Sequence, residues 1–230
     1  MKKFCFIACI CAGIVFTGCK KDSIETSSVS SIVAKNVDKK VDLDKVKVVI
    51  DYDAVVAEGN FKNNGFTINL PENVSNNYLE DISYEMPKGI KVSDASAKIG
   101  FIEIEGYKSD EYVDDFAYGK IMLDGKKFSI VVGLYVYVDK NVKITGSYTE
   151  EDGVTLNTTF SVSLKKGWNN MFVTFSGQEG SNTMTAKWTT SDPGGLEWYF
   201  GNSDLKSLRL EPEAKLLLKN QKLLSKFKLF

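Results

Sequence analysis

Carboxylates and aromatic rings are the side chains through which this sequence could do chemistry, because the usual sets of nucleophile and base are missing. The chain has 230 residues and no histidine, and its four cysteines are confined to positions 5, 9, 11 and 19. A Ser-His-Asp or Cys-His arrangement needs an imidazole to carry the proton, and the common zinc sites need imidazole or several thiolates, so these classes are excluded. No G-x-S-x-G, P-loop or G-x-G-x-x-G spacing occurs. Ser163 to Lys166 reads S-x-x-K by letters, but it ends an alternating strand pattern, whereas that motif opens a helix. Two carboxyls held about 5 to 9 Å apart can hydrolyse a glycoside. Glu103 and Glu105 alternate with Ile102 and Ile104, which is the pattern of a solvated strand face. Oxygen clusters suited to calcium occur at Asp51 with Asp53, at Asp114-Asp115 and at Glu150-Glu151-Asp152, none with the spacing of a calcium loop. The expectation is no catalytic residue, no metal and no cofactor. Aromatic rings can stack on a ligand. Trp168 enters a strand from the turn Lys165-Lys166-Gly167, and it either faces a ligand or plugs that turn. Trp188 and Trp198 share parity with apolar neighbours and are expected in the core.

The elements that carry these residues follow an N-terminal export signal. Lys2 and Lys3 precede an apolar stretch from Phe4 to Phe16, and Thr17-Gly18-Cys19 closes it. The stretch is too short for a membrane-spanning helix, which needs roughly 20 residues, and has the form of a secretory signal. Phe16-Thr17-Gly18-Cys19 resembles a lipobox, so residues 1–18 are expected to be removed and Cys19 to carry the lipid. Cleavage would remove the other three cysteines, leaving no disulfide and no thiolate metal site. Several acyl chains on one residue hold firmly, each buried CH₂ contributing roughly 0.8 kcal/mol. Residues 19–42 are expected to form a flexible tether. Lys20 rather than Asp follows the cysteine, which favours the outer membrane.

From Lys45 to Phe200 the dominant period is two. Val46, Val48 and Ile50 alternate with polar neighbours, as do Phe66 with Ile68, Leu156 through Leu164, Met171 with Val173 and Phe175, and Met184 with Ala186 and Trp188. Such alternation predicts half-buried strands. Asn63-Asn64-Gly65, Asp124-Gly125, Asp139-Lys140-Asn141 and Asp152-Gly153 predict tight hairpins. The fold class expected is all-β, an antiparallel β-sandwich or two, with an N-terminal half over residues 43–123 and a C-terminal half over residues 124–201. Asn76 to Pro87 could hold one helical turn. In Phe128 to Val138 one face is continuously apolar, while Val131, Gly133, Tyr135 and Tyr137 form the other. That strand is either central or presents Tyr135 and Tyr137 to a ligand. The tail, residues 202–230, breaks the pattern: Lys215, Lys219, Lys222 and Lys226 fall on one helical stripe, with Leu216, Leu217, Leu223, Leu224 and Phe227 mostly opposite. This predicts a short amphipathic basic helix that either contacts an anionic membrane, docks on the body or stays unfolded. Residues 205–230 carry seven basic and two acidic residues, so the body is strongly acidic and unsuited to nucleic acid.

The Thr17-Gly18-Cys19 lipobox, Asn64-Gly65-Phe66-Thr67-Ile68-Asn69-Leu70-Pro71 and Leu164-Lys165-Lys166-Gly167-Trp168-Asn169 together resemble Bacteroides-type envelope lipoproteins of no assigned activity. The resemblance implies an envelope protein with an immunoglobulin-like or related β-sandwich. Asp22-Ser23-Ile24 also resembles the O-glycosylation motif of that group, which would place a glycan on Ser23. The function expected is a non-enzymatic binding module for glycan or protein, lipid-anchored at the outer membrane. A carboxylate-dependent glycan hydrolase and a structural subunit of an envelope complex are the alternatives.

Overall fold

The computed structural model describes residues 29–37, 41–51, 54–83 and 86–201. The lipobox with Cys19, the Ser23 motif and the basic tail with Lys215, Lys219, Lys222 and Lys226 lie outside the described residues. The described residues are all-β. The strands are β1 (Ser31–Ala34), β2 (Lys45–Ile50), β3 (Ala54–Asn60), β4 (Phe66–Asn69), β5 (Glu80–Asp81), β6 (Ile90–Val92), β7 (Lys98–Lys108), β8 (Glu111–Asp124), β9 (Lys127–Val138), β10 (Val142–Glu151), β11 (Thr155–Leu164), β12 (Gly167–Gln178), β13 (Thr183–Thr189) and β14 (Glu197–Phe200), with one 3-10 turn at Asn76–Tyr78. Among the described residues no helix is long and apolar enough to cross a membrane.

Twelve strands form one hydrogen-bonded sheet along the path β3-β2-β7-β8-β9-β12-β13-β11-β10-β6, with β5 joined to β7 and β14 to β8, while β1 and β4 pair separately. The period of two explains the inner face directly. Along β13 Met184, Ala186 and Trp188 are buried and Thr183, Thr185 and Lys187 exposed, and along β11 Leu156, Thr158, Val162 and Leu164 point inward. β9 lies between β8 and β12, so its apolar character on both faces is that of a central strand. Its ladder with β8 runs from Tyr118 to Asp124, and thus crosses the boundary drawn between the two halves.

The hydrophobic residues form three clusters. The largest gathers β9 to β13 around Val136, Leu156, Val173 and Trp188. A second joins Ile32, Val46, Val48, Phe66, Ile104 and Phe116. A small third lies between them around Ile50, Leu79, Tyr137 and Trp168.

Three expectations change, and one turn is new. Residues 31–34 are a strand and not tether: β1 pairs with β4 from Ser31↔Asn69 to Ala34↔Phe66, and Ile32, Ala34 and Val37 are buried. Their alternation is too short to stand out from a Ser- and Val-rich background, and burial decides the matter. Asp139-Lys140-Asn141 does not close a hairpin, because β9 pairs with β7, β8 and β12 while β10 pairs with β6 and β11. The sheet is mixed, since β11 and β13 are parallel. A tight turn the pattern did not mark joins β7 to β8 through Ser109 and Asp110, at φ of 51° and 65°. Asn63 and Asn64, at φ of 54° and 57°, do make the expected turn, closed by hydrogen bonds between Lys62 and Gly65.

Candidate functional site

The long strands β7, β8 and β9 part from one another in the middle of the sheet. β7 pairs with β8 from Glu105↔Asp115 to Lys108↔Glu111, and with β9 from Ile99↔Val138 to Phe101↔Val136. β8 pairs with β9 only from Tyr118↔Gly133 onward. Ile102 to Ile104, Phe116 to Ala117 and Leu134 to Tyr135 are left without a ladder partner across the junction. All seven residues line one cleft of about 600 Å³. A rent in a sheet leaves backbone N–H and C=O groups facing a space that a ligand can enter.

Register decides which side chains meet there. Asp115 stands opposite Glu105 and so shares a face with Glu103 and Phe101. Tyr118 stands opposite Gly133 and shares the other face with Tyr135. Side chains of both faces line the cleft. On the first face Phe101 is 44% exposed. Phe160 and Trp188 stack nearby, with centroids 5.5 Å apart and planes 7° from parallel. On the second face Trp198 of β14 stacks on Tyr118 at 4.8 Å and 28°, and on Tyr135 at 6.3 Å and 12°. The Trp198 indole Nε1 donates to the Val33 carbonyl at 3.1 Å, which fixes the ring. Gly133 makes room for this wall, since a Cβ there would lie 2.6 Å from Tyr118 Cδ1. Burial raises the Tyr135 hydroxyl well above its ordinary range, so it stays a neutral donor.

Seven carboxylates line the cleft: Asp51, Glu80, Asp81, Glu103, Asp114, Asp115 and Glu150. No Lys or Arg is among the described lining residues. Three lysines on β2 and β7 are engaged elsewhere. Lys45 pairs with Asp110 and Lys108 with Asp42, each at 2.8 Å, and Lys47 lies 3.8 Å from the centre of the Tyr107 ring. Glu105 accepts the Tyr107 hydroxyl at 2.6 Å, and that bond is the main reason the phenol is pushed up to about 12. Glu103 is half-buried, and burial, then the charges of Asp115 and Glu105, raise its carboxyl above the ordinary range. Asp115 is raised by partial desolvation and by Glu105 and Asp114, although the Tyr112 hydroxyl that it accepts lowers it. These carboxylates crowd one another but do not form a metal cage; no three of them are placed to hold an ion among the described residues.

The candidates named from sequence divide accordingly. Tyr135 lines the cleft. Tyr137 and Trp168 are buried away from the cleft: both are 3% exposed and meet edge to face at 5.2 Å. The Trp168 indole donates to the Pro71 carbonyl at 2.7 Å, so this ring plugs its turn against the 70s loop. Trp188 is in the core as expected, while Trp198 is only partly buried and lines the cleft instead. Glu103, expected on a solvated face, turns into the cleft. Phe101 and Tyr118 carried no sequence signal, because strand alternation gives parity and not what lies above a face.

No family model, curated protein or solved structure matches this chain.

Proposed function

We propose that this chain is a lipid-anchored envelope protein that binds its glycan or protein partner without chemical turnover, through a group seated in the junction cleft. The observation that carries the reading is the cleft itself, with stacked aromatic rings on both faces at a break in the ladders between three strands. Concave sites with apolar walls and a few convergent polar groups are the usual form of a ligand pocket. The anchor at Cys19, the outer-membrane location, glycosylation at Ser23 and an immunoglobulin-like sandwich belong to the same proposal. Their support is the lipobox, the Ser23 motif and a sheet that gathers β9 to β13 around one core. The test is a glycan array and an envelope-protein panel probed with a Cys19→Ser chain. Binding should weaken in Phe101→Ala, which removes an exposed ring from the wall, and persist in Trp168→Phe. Absence of binding in both screens, or indifference to Phe101, defeats the reading.

A hydrolytic reading is favoured by one observation, two neighbouring carboxyls, Glu103 and Asp115, both raised. It requires turnover of a polysaccharide that disappears in Glu103→Gln, and a Glu103→Gln chain as active as the parent rules it out.

A further inference from the structure

The charge of the cleft narrows what can sit in it. Seven carboxylates and no described Lys or Arg line a cleft whose interior is otherwise mainly aliphatic and aromatic. An anionic ligand would enter against that field, and a neutral apolar ligand would leave half-buried Glu103 with nothing to compensate its charge. Glu103 has no hydrogen bond or ion pair among the described residues, and Lys45, Lys108 and Lys47 are turned to Asp110, Asp42 and the Tyr107 ring. The flat ring of Phe101 shares a face with Glu103 and Asp115, and aromatic faces attract cations as well as apolar surface. We propose that the cleft takes an organic cation: a protonated amine carried on a flat or apolar body, with the ammonium against Glu103 and Asp115 and the body against Phe101 and the Phe160–Trp188 stack. Burial and then the neighbouring carboxylates raise Glu103 and Asp115, and an ammonium seated against them would offset both effects.

This rests on the cleft being the binding site, and the experiment separates the two. Phenethylamine, 2-phenylethanol and phenylacetate share one body and carry charges of about +1, 0 and −1 near neutral pH. Saturation-transfer NMR titrations of the Cys19→Ser chain should show the amine binding about tenfold or more tighter than the alcohol, since a charge-assisted hydrogen bond separates them. The carboxylate should be weakest, and added salt should narrow the gap. Glu103→Gln combined with Asp115→Asn should bring the amine close to the alcohol, while circular dichroism shows an unchanged fold. If amine and alcohol bind alike, or if the carboxylate binds best, the cation inference is overturned and the cleft still stands as the site. If none of the three binds, the inference falls, while the array experiment with Phe101→Ala judges the site independently.

Discussion

Gly133→Ala is the most direct probe of how the cleft is built. The backbone there is ordinary extended strand, so alanine brings no φ penalty, and its whole effect is steric. The added methyl would lie 2.6 Å from Tyr118 Cδ1 and 3.4 Å from Phe172 Cε1. Ordinary carbon contact begins near 3.5 Å, so either the Tyr118 ring or β9 must shift by about 1 Å. Tyr118 cannot shift so far and keep its 4.8 Å stack on Trp198. Overpacking of this kind costs about 1 to 3 kcal/mol, and the lost stack is worth about 0.5 to 1.5 kcal/mol of that. For a body of this size the melting temperature should fall by about 2 to 12 °C. Near-ultraviolet circular dichroism should lose intensity with it, because the Trp198 and Tyr118 rings no longer face each other. A melt within about 1 °C of the parent and an unchanged aromatic spectrum would mean that Tyr118 does not cross Gly133, and that the wall is not assembled as described.

Two further outcomes are expected. Ile32→Ala removes a fully buried side chain from β1 and should destabilise the body by about 2 to 5 kcal/mol in a denaturant melt, whereas a change under about 0.5 kcal/mol would return residues 29–37 to the tether. Glu103→Gln should stabilise the body at pH 7, because a carboxyl raised above its unfolded value holds its proton more tightly when folded. Its ionisation therefore lowers stability as pH rises, and the gain over the parent should shrink as pH falls through the raised folded value and vanish below the ordinary glutamate value of 4.5; a variant less stable than the parent at pH 7 contradicts this.

The sequence alone determined the class of structure. Alternation at Leu156 to Leu164 and Met184 to Trp188 can satisfy its apolar residues only as strands with one buried face, and the strands are there. The lack of histidine leaves this chain no imidazole to carry a proton at any fold. The tertiary structure decided the site. Period two tells that Glu103 and Phe101 share a face, but not that β7 leaves β8 beyond Glu105 and opens that face into a cleft. Trp168 and Trp198 look alike as sequence: each is a tryptophan in an alternating segment near a glycine turn. One is sealed against Pro71 and the other stacks on Tyr118 in the cleft, because contacts more than ninety residues apart in the chain, to Pro71 and to Val33, decide where each indole points. Local pattern fixes which way a side chain leaves its strand, and only the assembled sheet fixes what it meets.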